Sequence, residues 1–184
     1  MPPLDPADLD EDQEAAVRQI TSGPRGALVG PFTVLLRSPV LMDRVQQVGA
    51  YLRYEKVLAP HLFEMVVLMV ARRWDQAFEW AHHQPLALGA GLEPDVVQAL
   101  GEDRCPVTDD AEVLALWKVV DEIHATGGVE DATYARAVSL FGEPCLVEAV
   151  VAVGYYTTLA MVMNVARTPP ETGAVLPART TAHP

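Results

Sequence analysis

The residues able to transfer protons are concentrated in one stretch of the chain, His61–Gly91. It carries Glu64 on an apolar segment, followed by Glu79, His82 and His83. Carboxylates and imidazoles serve as general acids and bases when burial and nearby charges shift their pKa values toward neutrality. The stretch therefore indicates acid–base chemistry.

Glu79 and His83 are four positions apart, which places them side by side on one face of an α-helix. We expect Glu79 to orient the imidazole of His83 for proton transfer. The alternative is a surface pair, worth roughly a few tenths of a kcal/mol. His82 points about 100° away from His83 on a regular helix, so it belongs either to the site or to its rim.

Glu64 lies on a segment that is apolar nearly all round, residues 61–72. A helix without a polar face is buried, and a buried carboxylate must be paired, hydrogen-bonded or protonated. Two interpretations stay open. Glu64 is either a structural glutamate satisfied by a neighbouring element, or part of a site.

No stretch alternates with period two, so we predict an all-α fold. Residues 1–22 form an acidic tail or short helix, residues 23–168 a single helical domain, and the Pro-rich residues 169–184 a disordered tail. Helices are predicted at 39–54, 61–72, 76–89, 94–100, 110–125, 131–141 and 144–167.

Two local details accompany these helices. The helix at 39–54 is predicted to present Leu41, Val45, Val48 and Leu52 on one face. Asp75 is predicted to cap the helix that begins at residue 76.

Composition excludes some classes of partner. The chain of 184 residues has a net charge of −12, which would repel nucleic acid. The apolar runs at 65–71 and 149–154 are far shorter than the roughly 20 residues of a membrane span. Cys105 and Cys145 do not form a CxxC pair. We therefore expect a soluble, cytoplasmic protein without nucleic-acid or membrane partners.

The stretch 64–91 resembles the carboxymuconolactone decarboxylase family of the alkylhydroperoxidase-like superfamily. The matching residues are Glu64, the EWxxH pattern at 79–83, Ala87 and Gly91-Leu92. The segments LLRSPVLMDRV (35–45), YLRYE (51–55) and VGYYTTLAMVMN (153–164) also read like longer members. The resemblance covers roughly residues 30–167. It implies an alkylhydroperoxidase-like helical bundle that forms homo-oligomers, commonly trimers or hexamers.

The peroxidase branch of that superfamily carries Glu-x11-Cys-x2-Cys-x3-His. Counted from Glu64, the two cysteine positions hold Gln76 and Glu79, and the histidine is His83. Thiol–disulfide chemistry requires a thiolate. A cysteine peroxidase is therefore not expected.

The decarboxylase branch implies a cofactor-free lyase acting on a small carboxylated lactone or related acid. Glu64, Glu79 and His83 are then the catalytic residues, with His83 as proton donor and no metal. Arg72 or Arg73 would hold the substrate carboxylate, and the candidate substrate-binding residues are Arg72, Arg73, Gln76 and His82.

Three alternatives remain on the same scaffold. One is a non-catalytic oligomer that binds a small ligand, with Glu64 and His83 fully satisfied and no pocket. Another is an isomerase. The third is a metal-dependent oxygenase or hydrolase, although no spacing requires a metal.

The sequence also contains a faint internal echo. PHLFEMVVLMV at 60–70 resembles PCLVEAVVAVG at 144–154, which aligns Glu64 with Glu148. Duplication and chance similarity between two buried helices both account for it.

Overall fold

The computed structural model describes residues 1–170 and 172–179, and over that part of the chain every regular element is a helix. A short 3-10 helix, Pro6–Asp8, precedes eight α-helices in this described part. They are α1 (Glu11–Ser22), α2 (Pro31–Leu35), α3 (Pro39–Tyr54), α4 (Pro60–Arg73), α5 (Ala77–Gly89), α6 (Pro94–Gly101), α7 (Ala111–Thr126) and α8 (Asp131–Ala166). The predicted all-α class is confirmed.

Helix α4 forms the centre of the molecule. It packs against α5, α6, α7 and α8, and residues 65–71 are all buried. An apolar surface on every side allows a helix to be surrounded in this way. The predicted burial of this helix is confirmed, and it places Glu64 beside the core.

Helix α8 contains the predicted break at Gly142. Gly142 has φ 75° and ψ 164°, so the chain kinks there between two helical segments, 131–141 and 143–166. Pro144 follows directly, where a proline at the start of a helix sacrifices no backbone hydrogen bond. The second segment carries Tyr155 and Tyr156 toward α4 and α5.

Among the described residues, α8 is the one helix long and apolar enough to cross a membrane by length and composition. Its most apolar window is 44% buried, and the helix packs on α2, α4 and α7. The core helix of a folded domain passes the same test.

Helix α3 is rotated relative to the prediction. Met42, Gly49 and Leu52 are buried, whereas Leu41 is 51% and Val48 is 43% exposed. The four residues of the predicted apolar face therefore differ in burial, with Leu52 inside and these two residues exposed. The reason is Gly49, whose missing side chain lets groups from α8 and the preceding loop approach the helix.

The helix α5 is capped by Gln76, not by Asp75 as predicted. The Gln76 side chain accepts a hydrogen bond from Phe78 N at 2.8 Å. Asp75 has φ 49° and instead forms ion pairs with Arg72 and Arg179.

The two ends of the chain also differ in structure. Residues 11–22 form helix α1, with a capping box between Asp10 and Gln13, in line with the short-helix alternative. The stretch 172–179 has no helix but lies against the domain through Pro177 and Arg179, which differs from the predicted disorder. Residues 171 and 180–184 of that predicted tail lie outside the described residues.

Candidate active site

The central pair of the site joins α4 and α5. His83 Nδ1 lies 2.7 Å from Glu64 Oε2. His83 is 3% exposed, and the Glu64 side chain 12%. A carboxylate at this position holds the proton on Nδ1 and leaves Nε2 to exchange a proton with a ligand. Burial lowers the pKa of His83, and the hydrogen bond to Glu64 offsets only part of that effect, so the neutral imidazole is favoured.

Glu79 does not orient His83, contrary to the sequence prediction. Both carboxylate oxygens of Glu79 are buried and have no hydrogen-bond partner within the described structure. Burial without a partner raises the pKa of Glu79 well above its usual value. Glu79 therefore keeps its proton to a higher pH than an exposed glutamate does, and Glu64 takes the orienting role.

A cavity of about 50 Å³ opens beside these residues. Helix α5 contributes Phe78, Glu79, His82 and His83 to its wall. The rest comes from the loop and helix at 25–32, from Arg53 of α3 and from α8; the lining residues there are Arg25, Val29, Pro31, Phe32, Arg53, Tyr155, Tyr156 and Leu159. Acid, imidazole, phenol and guanidinium groups thus share one small space.

Further buried polar atoms without a partner occur at this cavity. They are Arg25 Nε and the Tyr155 hydroxyl, in addition to the Glu79 carboxyl. Burial raises the pKa of Tyr155 to about 12, so its phenol is protonated at neutral pH. Unsatisfied buried polar groups cost about 1–3 kcal/mol each, and three of them at one cavity mark a place where a ligand can supply partners.

Gly49 leaves room for two of these groups. A Cβ built at Gly49 would lie 2.1 Å from the Tyr155 hydroxyl and 2.5 Å from Arg25 Nη2. Arg25 is held from the other side by Phe32, whose ring centroid is 4.5 Å from the guanidinium carbon. The bare backbone of α3 therefore allows the phenol and the guanidinium to reach the cavity together.

Aromatic rings fix the orientation of His83. The Tyr156 ring packs edge-on against it at 5.2 Å between centroids, and His82 does so at 5.1 Å. His82 in turn stacks on Phe78 at 6.2 Å. His82 also lines the cavity.

The structure does not bring Arg72 and Arg73 to this cavity. Arg72 donates to Gly101 O at 3.1 Å and to Pro177 O at 2.6 Å, and it pairs with Asp75. Arg73 lies at the same end of α4, more than two helical turns beyond Glu64. Their predicted role as substrate-binding residues at His83 was therefore wrong.

Gln76 also lies outside the cavity wall. Its side-chain amide nitrogen donates to Asn164 Oδ1 at 2.7 Å, and its side-chain oxygen caps α5.

Cys105 is exposed and Cys145 is half-buried, and neither lines the cavity at His83. Over residues 1–170 and 172–179, no group of three His, Cys, Asp or Glu side chains is placed to hold a metal ion.

Four functional candidates escaped sequence reasoning: Arg25, Arg53, Tyr155 and Tyr156. Arg25 lies in a Gly/Pro-rich linker that carries no periodic signal. Arg53 and the two tyrosines do fall in YLRYE and VGYY, segments that carried the family resemblance. Their roles depend on how α3 and α8 cross α5, which a single sequence does not show.

Comparison with known proteins identifies the type of fold. No family model matches the chain, and no curated protein matches it. A crystal structure from Agrobacterium tumefaciens, of a protein of unknown function suggested to be the antioxidant defence protein AhpD, aligns with a TM-score of 0.66. The two share 18% identity over 75% of this chain and 95% of the other. The chain therefore has an AhpD-like, alkylhydroperoxidase-like helical fold.

Proposed function

We propose that this protein is a cofactor-free acid–base lyase that decarboxylates a small carboxylated lactone or a related acid in the cytoplasm. The observation that carries the proposal is the convergence of Arg25, Tyr155 and the unpartnered carboxyl of Glu79 on one cavity with His83, which is paired to Glu64. The absence of both thiols at positions 76 and 79 argues against peroxidase chemistry at the same site.

The reaction can be written with these groups. The bond between the substrate carbon and its carboxylate breaks, CO₂ leaves, and the electron pair moves into a conjugated carbonyl to give an enolate. Arg25 and the Tyr155 hydroxyl stabilise the negative charge on the enolate oxygen. Neutral Glu79 then protonates the carbon that lost CO₂.

The proton on Glu79 must be replaced after each turnover. His83 is one helical turn from Glu79 on the same face of α5. Hydrogen-bonded to Glu64, it can pass a proton to the Glu79 carboxylate and recover one from solvent. The pair thus has the role of a relay, with Glu64 as the positioning residue.

Arg25 and Arg53 are the cations of the cavity wall. They take over the substrate-binding role that the sequence assigned to Arg72 and Arg73. A guanidinium matches a carboxylate in geometry, and two of them attract an anion to a protein with a net charge of −12.

The cavity as it stands holds a few water molecules at most. A substrate of this class enters when the segment 25–32 moves away from α5. Gly30, with φ 57°, brings this segment so close that an added Cβ would lie 2.5 Å from Phe78 Cε1. A loop that packs closely on α5 at Gly30 is placed to cover the cavity and to open for a substrate.

Of the alternatives, a non-catalytic binder with fully satisfied Glu64 and His83 and no pocket is disfavoured by the cavity and by the unpartnered Glu79. An isomerase would use the same proton-transferring groups without losing CO₂.

The proposal is tested by incubating the protein with a panel of lactone acids and 3-oxo acids and measuring CO₂ release from each. Release of CO₂ from a panel member supports it, whereas proton exchange without CO₂ favours the isomerase.

We further propose that copies of the chain associate into a trimer or hexamer through the outer face of α8. Val147 is 60% and Val151 44% exposed, and with Val48 and Val57 they line an apolar groove of about 520 Å³. Exposed apolar patches mark association surfaces. Light scattering on Val147→Lys, Val151→Lys double-variant protein should report a smaller assembly than wild type, and an unchanged mass contradicts this interface.

A further inference from the structure

A second cavity lies at the other end of α4, away from His83. It has a volume of about 320 Å³ and is framed by one face of α4 and one face of α7. Met69 and Arg73 come from α4, and Trp117, Asp121 and His124 from α7. The three α7 residues are spaced at i, i+4 and i+7, so they share one face. The volume is in the range of small-molecule pockets.

Two opposite charges face this cavity without being paired. The Arg73 guanidinium makes a single, long contact of 3.5 Å, to the carbonyl oxygen of His124, and takes part in no ion pair among the described residues. Asp121 forms neither a hydrogen bond nor an ion pair in that part of the chain. The two are not within 4.0 Å of each other, or they would form a salt bridge.

The other charges at the cavity are already engaged. Arg104 pairs with Glu102 at 2.6 Å, and Arg179 binds Asp103. Arg72 is 3% exposed and held by Asp75 and two carbonyl oxygens. Arg73 and Asp121 therefore stand out as the cation and the anion that a ligand can engage.

The remaining wall suits an apolar group with one polar contact. Met69, Leu100 and Trp117 provide an apolar and aromatic surface. His124 Nε2 is buried and has no partner among the described groups. Burial, helped by nearby Arg73, lowers the pKa of His124 to about 4, so the imidazole is neutral and does not act as the helix-end cation that its position at the end of α7 suggests.

We infer that this cavity binds a small zwitterion, an α-amino acid with an apolar or aromatic side chain. Arg73 takes the carboxylate, Asp121 takes the ammonium, and Trp117 contacts the side chain. The site is separate from the catalytic cavity and does not depend on the proposed lyase activity.

Isothermal titration of the full-length protein with L-phenylalanine tests this inference. N-acetylphenylalanine lacks the ammonium charge and phenylalanine amide lacks the carboxylate, so each should bind at least about tenfold more weakly, the cost of one charge-assisted contact. Saturable one-to-one binding of phenylalanine alone supports the assignment. No saturable binding in the millimolar range, or equal binding of all three compounds, overturns it.

Variants locate the site. Arg73→Gln and Asp121→Asn should each weaken phenylalanine binding about tenfold. Arg44→Gln, at a position 72% exposed on α3, should leave it within twofold of wild type, where twofold is roughly 0.4 kcal/mol. Asp121 forms no hydrogen bond or ion pair among the described residues, so Asp121→Asn remains a test even if Arg73→Gln does not fold. Binding that both variants retain, or that His83→Gln removes, contradicts the assignment.

Discussion

His83 Nδ1 lies 2.7 Å from Glu64 Oε2, although the two residues are 19 positions apart and on different helices. The contact depends on α4 and α5 packing as an antiparallel pair through the turn at 74–76. It converts two residues with separate interpretations in the sequence into one acid–imidazole unit. Glu79, the neighbour of His83 on its own helix, is left as a buried acid with no partner among the described groups.

The alkaline side of the pH dependence of turnover should be set by Glu79. The relay passes a proton from His83 to Glu79, so protonation of His83, whose pKa is lowered by burial, does not block it. The donor must be protonated Glu79, whose pKa is raised well above 4.5, so activity should fall on the alkaline side as that proton is lost. Rate profiles of wild type and Glu79→Gln, which cannot lose a proton, measure this. An alkaline limb that persists unchanged in Glu79→Gln would assign it to another group.

Replacing Glu79 by Met should stabilise the protein while abolishing activity. The change removes two buried, unpartnered oxygens, a gain of about 1–3 kcal/mol in the free energy of unfolding. Because the folded-state pKa of Glu79 is raised, its contribution to stability is present below the unfolded pKa and is lost as pH rises toward the folded pKa. The advantage of Glu79→Met should therefore grow from pH 4 to pH 8 in urea titrations. A destabilised variant at pH 8 contradicts the buried-acid assignment.

Gly49→Ala should displace Tyr155 and Arg25 from the cavity wall. Its new methyl group would overlap the Tyr155 hydroxyl and Arg25 Nη2, so we expect a loss of about 1–3 kcal/mol in stability and a fall in kcat/KM. Gly154→Ala on α8 is the matched control, since a Cβ there meets no atom within 4 Å and should stabilise the helix by about 0.5–1 kcal/mol. Equal effects of the two changes in thermal melts would show that the crowding at Gly49 does not exist.

Arg25→Gln and Arg53→Gln should each raise KM for a carboxylate substrate. Loss of a charge-assisted contact corresponds to about 1.5–3 kcal/mol, or more than tenfold. Arg44→Gln, on the same helix as Arg53 but exposed, serves as the control. Steady-state kinetics on the three variants decide the matter, and a KM that moves equally in all of them would indicate general electrostatic attraction in place of a specific contact.

The sequence was sufficient for those features that depend on local pattern. The burial of α4 follows from its lack of a polar face, and the break at Gly142-Glu143-Pro144 follows from residue type. The motif that places Glu64, Glu79 and His83 in order directed attention to the stretch in which the structure pairs Glu64 with His83.

Features that depend on how helices cross were not accessible. Glu64 and Glu148 lie in similar sequence contexts, yet Glu148 is satisfied by Val57 N, Leu58 N and the Tyr51 hydroxyl at 2.7–2.9 Å, whereas Glu64 faces His83. Arg72 was close to the motif in sequence but lies at the opposite end of α4. Arg25 was far from it and lies in the cavity wall, because a linker without periodicity folds over α5.

The most direct measurement is the steady-state turnover rate of CO₂ release for wild type, His83→Gln and Glu64→Gln on the panel member that wild type decarboxylates, because the pair restores the proton on Glu79 between turnovers. Loss of a positioned proton-transfer group costs about 100- to 10,000-fold in rate. The account predicts a fall of that size for His83→Gln and a comparable fall for Glu64→Gln, with far-UV circular dichroism unchanged. Rates within a few-fold of wild type for both folded variants would contradict catalysis by the Glu64–His83 pair.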